Sequence, residues 1–122
     1  MEEPQAIRAR IVVVDSPDRY PNVAALLERR FGVDYDILRE ETGAAALDRL
    51  RALQRDGVDV CLILADQWTP DMTGVQLLRA SIDAYPDARR GVLVGPGELR
   101  RAREEILQAA PWARSRRTSS AR

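Results

Sequence analysis

Histidine and lysine are both absent from this 122-residue sequence, and cysteine occurs once, as Cys61. Without histidine, the Ser-His-Asp and Cys-His forms of nucleophilic catalysis are excluded, and so is a zinc site made from the usual ligands. A single cysteine cannot form a disulfide within the chain. Cys61 lies in an apolar segment, so we expect a small buried hydrophobic residue there rather than a reactive thiol. Any chemistry in this protein must therefore use carboxylates and hydroxyl groups.

Long apolar runs are missing too. The longest, residues 60–65, stops at Asp66 and is far too short to span a membrane. The first ten residues are mostly polar, with two glutamates and two arginines, and lack the apolar core of a signal peptide. We therefore expect a cytoplasmic protein with no membrane partner. The sequence also lacks a glycine-rich phosphate loop, because the Gly-Pro-Gly at 95–97 does not have the spacing of a dinucleotide fingerprint. A metabolic enzyme is accordingly disfavoured.

Charge is balanced overall but unevenly distributed. There are 19 acidic and 19 basic residues, and every basic residue is arginine. Four of these arginines lie in the last nine positions, 114–122, where no hydrophobic periodicity remains. We predict a disordered basic tail there, which either keeps the chain soluble or contacts an acidic partner. Nothing in the charge pattern indicates binding to nucleic acid.

The rest of the chain alternates between two kinds of apolar periodicity. Segments typical of buried parallel strands lie at residues 9–15, 33–40, 58–66 and 90–95, and helical spacing occupies residues 22–32, 42–57, 72–86 and 96–110. In the first helix the predicted inward residues are Val23, Leu26, Leu27 and Phe31; in the fourth they are Leu99, Ala102, Ile106 and Ala110. The order predicts an α/β fold with a doubly wound parallel sheet. We place this single domain at residues 7–113.

Two acidic residues stand where predicted strands end. Asp15 closes the first strand, and Asp66 closes the third, which is the most apolar. In open parallel sheets, binding sites form outside the carboxyl ends of the strands, where the strand order reverses. Two neighbouring carboxylates repel each other unless a proton or cation intervenes, and Mg²⁺ is commonly held by one or two carboxylates with water and phosphate oxygens. The pattern therefore indicates a Mg²⁺ site.

Asp66 is the better candidate for a nucleophile, because it ends the strand expected at the sheet centre and aspartate can accept a phosphoryl group. Asp15 would then hold the metal, together with Asp66 and the backbone carbonyl of Trp68. Pro70 would stiffen the following loop, and Gly74 would let the chain enter the next helix. The competing interpretation is that Asp66 only forms a turn or caps a helix, as aspartate often does after a strand.

The segments IVVVD (residues 11–15) and LILADQWTPDMTGVQLL (residues 62–78) resemble the receiver domain of two-component response regulators. That family has an aspartate at the end of its third strand, a proline four residues later and a glycine eight residues later; here these are Asp66, Pro70 and Gly74. The resemblance covers residues 8–95. The segments ADQWTPDMTGVQLL and AYPDARR look most like receiver modules fused to thioredoxin-reductase-like flavoproteins.

The resemblance implies a flavodoxin-like fold and a phosphorylation switch. A histidine kinase or phosphotransfer protein would donate a phosphoryl group to Asp66, with Mg²⁺ bound by Asp15, Asp66 and the Trp68 carbonyl. The resulting change of shape would alter a partner. A second hypothesis is a pseudo-receiver, which uses the same fold for protein contacts without being phosphorylated.

The sequence departs from the family at three places. Ser16 stands where the family has a second acidic residue, which weakens Mg²⁺ binding. Gly95 stands at the switch position, where the family's serine or threonine hydroxyl meets the phosphoryl group. The family's lysine after the fifth strand is missing, and the Ala-Pro-Trp sequence at 110–112 comes too early to replace it. We predict that the fifth strand and helix are also missing. Either a second copy or a partner covers the open sheet edge, or the chain is a truncated form of a longer protein.

Overall fold

The computed structural model describes residues 8–15 and 22–109, which form four strands alternating with four helices. The strands are β1 (Ala9–Val14), β2 (Tyr35–Glu40), β3 (Val60–Asp66) and β4 (Arg89–Leu93), and the helices are α1 (Val23–Phe31), α2 (Gly43–Arg55), α3 (Gly74–Ala80) and α4 (Leu99–Ala109). The predicted order of elements is confirmed. The predictions for Ser16, for residues 110–112 and for the basic tail concern positions outside the described residues.

All four strands run parallel in one sheet, in the order β2-β1-β3-β4. The predicted doubly wound sheet is thereby confirmed, because the chain goes from β1 outward to β2 and then returns to β3 on the opposite side. This is the order of flavodoxin-like folds, in which the reversal between β1 and β3 marks a place for a ligand. Among the described residues β4 pairs only with β3, so the expected absence of a fifth strand stays a prediction about residues 110–122.

The sheet is covered on both faces. The larger apolar cluster joins alternate residues of β1 and β3 to α2 and α3; its buried members include Val12, Val14, Ile63, Ala65, Leu50, Leu77 and Leu78. On the other face, Ile11 and Val13 pack with Ala24 of α1, and Leu62 lies beside them. The alternation arises because successive side chains of a strand point to opposite faces. In the part of the chain that the structure describes, no helix is long and apolar enough to cross a membrane.

Several predicted core positions are wrong. Leu26 and Phe31 of α1 and Leu99 of α4 are 45%, 41% and 57% exposed, so their helices bury narrower stripes than the apolar spacing suggested. Cys61 is also exposed rather than buried. The ladder between β1 and β3 is irregular there, since Arg10 pairs with Val60 and the next residue, Ile11, pairs with Leu62. Cys61 is thus the extra residue of a bulge, which turns it out of the core.

A buried polar contact fixes the end of α3. The guanidinium of Arg90 in β4 donates to the carbonyl oxygens of Leu78 (3.3 Å) and Ser81 (3.1 Å) and to that of Tyr85. The last carbonyls of a helix have no partner within the helix, and a cation there is also favoured by the helix dipole. Arg90 therefore holds α3 against the sheet, and α3 carries the glycine that follows the candidate site.

Candidate functional site

Asp15 and Asp66 come together at the carboxyl edge of the sheet. Val14 of β1 pairs with Ala65 of β3, so the residues that follow them, Asp15 and Asp66, stand at adjoining strand ends. By alternation both side chains belong to the face that α1 covers. Both residues are buried, with 2% and 3% of their surface exposed. Two carboxylates of this kind need compensating positive charge or hydrogen bonds.

Arg39 of β2 provides part of that compensation. Its Nε lies 2.8 Å from Asp15 Oδ1, and a terminal nitrogen donates to the backbone oxygen of Asp15 at 3.1 Å. The other carboxylate oxygen, Asp15 Oδ2, is buried and has no hydrogen-bond partner among residues 8–15 and 22–109. The sequence reasoning missed Arg39. A signal was present, because Tyr35, Ile37 and Arg39 alternate along β2, and an arginine on an apolar stripe requires a partner.

The loop after Asp66 is held close to its carboxylate. The N–H of Trp68 donates to Asp66 Oδ1 at 2.9 Å, and the N–H of Gly74 donates to the carbonyl of Gln67 at 3.0 Å. Pro70 lies at the exposed end of the loop between these two contacts. At Gly74 a Cβ atom would stand 2.7 Å from the backbone oxygen of Asp66. The structure thus brings Gly74 against the backbone of Asp66, and the loop-shaping role of Pro70 stays a prediction.

Gln67 connects this loop to α4. The side chain is fully buried, accepts from the N–H of Val75 at 3.1 Å and donates to Glu105 Oε1 at 2.8 Å. The second oxygen of Glu105 accepts from the hydroxyl of Thr73 at 2.9 Å. Glu105 therefore binds both ends of the loop. Neither Gln67 nor Glu105 was singled out from the sequence, where they lie 38 residues apart.

A second contact from α4 reaches the same loop. The guanidinium carbon of Arg101 lies 4.5 Å from the centre of a ring of Trp68. Such cation–π contacts contribute about 0.5–1 kcal/mol at exposed sites. Arg101 and Glu105 are four residues apart and so lie on one face of α4. Through these two residues, α4 contacts Gln67 and Trp68, the two residues that follow Asp66 in the chain.

The loop also caps α2. Both carboxylate oxygens of Asp71 accept from backbone N–H groups at the start of that helix, Gly43 and Ala44, each at 2.9 Å. Partial burial acts to raise the pKa of Asp71, but the hydrogen bonds from Gly43 and Ala44 outweigh it and lower that pKa below its ordinary value. Since α2 has no acidic residue in its own first turn, Asp71 supplies the negative charge that this helix end favours.

Asp71→Asn is expected to lower the free energy of unfolding at neutral pH by about 0.5–1 kcal/mol, a small effect because the carboxylate is largely exposed. The depressed pKa means that the stabilisation is present above the ordinary pKa of the carboxyl and is lost as pH falls through its native value. The difference between the two proteins in urea unfolding should therefore vanish in acid. Asp48→Asn, which changes an exposed aspartate within α2, is the control, and an equal loss there would contradict the capping role.

Gly95 lies two residues beyond the end of β4. Its N–H donates to Glu98 Oε1 at 2.8 Å, and its carbonyl accepts from the N–H of Glu98 at 3.0 Å. It therefore takes part in the turn that leads into α4. Having no side chain, it offers no hydroxyl to a group bound at Asp66, as the sequence predicts for this position.

The residues at this edge fit a hard divalent cation in part. The unpartnered oxygen of Asp15 and the carboxylate of Asp66 are ligands that Mg²⁺ prefers, and Mg²⁺ ordinarily completes its shell with water. Among residues 8–15 and 22–109, however, no three His, Cys, Asp or Glu side chains are grouped as a metal site. The described residues thus offer two carboxylates at this edge, of which that of Asp15 is already paired with Arg39.

No protein-family model matches the sequence, and no curated protein matches it. Solved structures do. The signal receiver domain of an HD domain-containing protein from Pseudomonas fluorescens Pf-5 is 23% identical, with a TM-score of 0.63, over 86% of this chain and 72% of that one. The receiver domain of NtrC4 from Aquifex aeolicus is 26% identical, with a TM-score of 0.59, over 84% and 78%.

A third similar structure is the complex of histidine kinase ThkA with the response regulator protein TrrA. The matched chain of that complex is 19% identical to this chain, with a TM-score of 0.54, and the match covers 84% of this chain and 98% of that one. These similarities establish the fold. The described part of this chain has the flavodoxin-like fold of response regulator receiver domains.

Proposed function

We propose that this chain, which has the receiver fold, is a phosphorelay signalling domain whose phosphoryl acceptor is Asp66. The observation that carries the proposal is the position of Asp66, buried at the end of the central strand β3 and opposite a second buried carboxylate, Asp15. Receiver domains are signalling modules, so we propose no turnover of a metabolite. The partner is a histidine kinase or a phosphotransfer protein.

In the proposed transfer, a carboxylate oxygen of Asp66 attacks the phosphorus of a phosphohistidine on the partner. The O–P bond forms and the N–P bond breaks; the imidazole leaves with the bonding electron pair and takes up a proton. The N–H of Trp68, 2.9 Å from Asp66 Oδ1, fixes the orientation of the carboxylate for this attack. One similar structure contains a histidine kinase with a response regulator, which supports a kinase as the donor.

Asp15, Asp66 and the backbone carbonyl of Trp68 are the groups that would hold Mg²⁺. When bound, the ion offsets negative charge on the transferring phosphoryl group. Ser16 in place of a second acidic residue leaves the site with fewer carboxylates than the family pattern provides, so we propose weak binding.

The other contacts of the domain follow from its boundaries. We propose that it spans residues 7–113, that residues 114–122 form a basic tail, and that the protein acts in the cytoplasm. In the described residues the outer edge of β4 is unpaired, and exposed strand edges favour association. A second copy of the chain or a partner protein is proposed to cover it.

Incubation with a small-molecule phosphodonor and Mg²⁺ is expected to add the mass of one phosphoryl group, measured on the intact protein. Asp66→Asn should abolish the gain, because the amide is not a nucleophile for this transfer. The matched control is Asp87→Asn, which changes an exposed aspartate before β4 and should leave the gain intact. A gain that survives Asp66→Asn would place the phosphoryl group elsewhere and contradict the proposal.

The alternative is a pseudo-receiver that binds proteins without phosphorylation. Two observations favour it: Gly95 brings no hydroxyl to the site, and Arg39 already pairs with Asp15. This function predicts no mass gain and a concentration-dependent dimer or complex in sedimentation experiments. A protein that stays monomeric at high concentration and captures no partner would count against it.

A further inference from the structure

We propose that Arg39 competes with a divalent cation for the carboxylate of Asp15 and so sets the strength of Mg²⁺ binding at the site. This inference rests on the proposed function, since it concerns the same pair of carboxylates. It assigns a positioning and regulatory role to a residue of β2 that lies outside the segments on which the receiver resemblance rests.

The contact between Arg39 and Asp15 is specific. One nitrogen of the guanidinium binds the carboxylate at 2.8 Å, and a second binds the backbone oxygen of the same residue at 3.1 Å. The register explains the meeting, because Arg39 pairs with Val13 and Asp15 is the next residue on that face of β1. Two bonds in a planar fork orient the cation and the carboxylate together, which a lysine could not reproduce.

The pair is unevenly buried and incompletely satisfied. The Asp15 side chain is 3% exposed whereas that of Arg39 is 28% exposed. The Arg39 guanidinium can therefore move out toward solvent, but the Asp15 carboxylate cannot. Within the part of the chain that the structure describes, Asp15 Oδ2 has no hydrogen-bond partner although it is buried. A buried carboxylate oxygen without a hydrogen bond is costly, and it is a natural ligand for a hard cation. The site therefore contains the positive charge of Arg39 and a carboxylate oxygen of Asp15 that is available to a metal ion.

Both cations cannot bind strongly at once. An ion on either oxygen of Asp15 comes within a few ångströms of the guanidinium, where like charges repel. Moving Arg39 away from Asp15 would relieve this repulsion. A second partner lies nearby, because Arg39 Nη1 is 3.5 Å from Glu41 Oε2, on a side chain that is 59% exposed. We therefore expect Mg²⁺ to bind Asp15 more readily when Arg39 moves away from it toward Glu41.

The test is calorimetric titration with Mg²⁺, without any phosphodonor. Arg39→Gln keeps a hydrogen-bond donor but removes the charge, and is expected to bind Mg²⁺ about tenfold more tightly than the unsubstituted protein. Arg39→Lys loses the planar fork but keeps the positive charge that repels Mg²⁺, so its affinity should stay within about threefold of that of the unsubstituted protein. Arg49→Gln, which removes the partner of Glu40 nearby, is the matched control and should not change the affinity. Adding Asp15→Asn to Arg39→Gln should cancel the gain.

Equal Mg²⁺ affinity in Arg39→Gln and the unsubstituted protein, or no binding by Arg39→Gln at millimolar Mg²⁺, would overturn the proposal. If Arg39→Gln fails to fold in sodium buffer, Mg²⁺ must restore the fold at equal ionic strength, and failure to do so also overturns it. The phosphorelay proposal is judged separately, by mass gain at Asp66. Tighter Mg²⁺ binding without phosphorylation supports this inference alone, and phosphorylation with unchanged affinity supports only the phosphorelay.

Discussion

Gly74→Ala should lower the free energy of unfolding by about 3 kcal/mol and impair the proposed phosphoryl transfer to Asp66. The added Cβ would stand 2.7 Å from the backbone oxygen of Asp66 and 3.1 Å from the Cα of Gln67. Both contacts are with main-chain atoms at the end of a central strand, which cannot move without displacing the site. The backbone of Gly74 has no positive φ, so a close approach rather than a special conformation is what requires glycine.

Gly43→Ala is the matched control for this prediction. Gly43 and Gly74 both begin a helix directly after a threonine N-cap, so the entropic effect of alanine on the unfolded chain is the same for the two. At Gly43 the three heavy atoms nearest to the new Cβ all belong to the side chain of Met72, the first at 2.5 Å, and methionine adapts readily. We expect a loss of at most about 1.5 kcal/mol in urea unfolding. Equal losses for the two substitutions would show that the contact with Asp66 is not decisive.

The sequence correctly predicted the positions of residues that lie at the ends of strands, because the order of strands and helices largely determines where those ends lie. Asp15 and Asp66 close apolar strands, and parallel strands end at the same edge, so the two residues meet once β1 and β3 are neighbours in the sheet. Gly74 was expected from its spacing after Asp66 in the receiver pattern, at the start of the next helix, where the structure has it. The doubly wound α/β sheet and the meeting of Asp15 with Asp66 were therefore predictable without any knowledge of side-chain contacts, whereas the receiver type of that fold was expected only from the family resemblance.

The contacts that the sequence did not reveal depend on register and on helix rotation. Arg39 meets Asp15 only because of the register between β1 and β2, in which Val13 pairs with Arg39. Glu105 meets Gln67 only because α4 turns that face toward the loop. Apolar spacing also misplaced Leu99, since a helix lying at the edge of the molecule buries fewer of its apolar positions. Strand register and helix rotation depend on tertiary packing, and the local sequence pattern carries little information about either.

Gln67→Ala should lower the free energy of unfolding by about 3–4 kcal/mol, the second large effect that the structure predicts. The substitution leaves a cavity at a fully buried position, and it leaves the N–H of Val75 and Glu105 Oε1 without their hydrogen bonds. Bonds to a charged acceptor contribute about 1.5–3 kcal/mol, and a stranded buried donor adds its own desolvation cost. Urea unfolding measures the total.

The matched control is Gln76→Ala, because Gln76 is exposed and its side chain only accepts from the N–H of Thr73 in a capping box. A loss of about 0.5–1 kcal/mol is expected there. The decisive measurement is hydrogen exchange in α4. Gln67 and Thr73 both bind Glu105, so Gln67→Ala should loosen that helix and raise the exchange of amides in its residues, whereas Gln76→Ala should not. A double-mutant cycle between Gln67 and Glu105 should give a coupling of about 1.5–3 kcal/mol. A coupling near zero, with unchanged exchange in α4, would mean that Gln67 only fills space and does not join the loop of Asp66 to the helix.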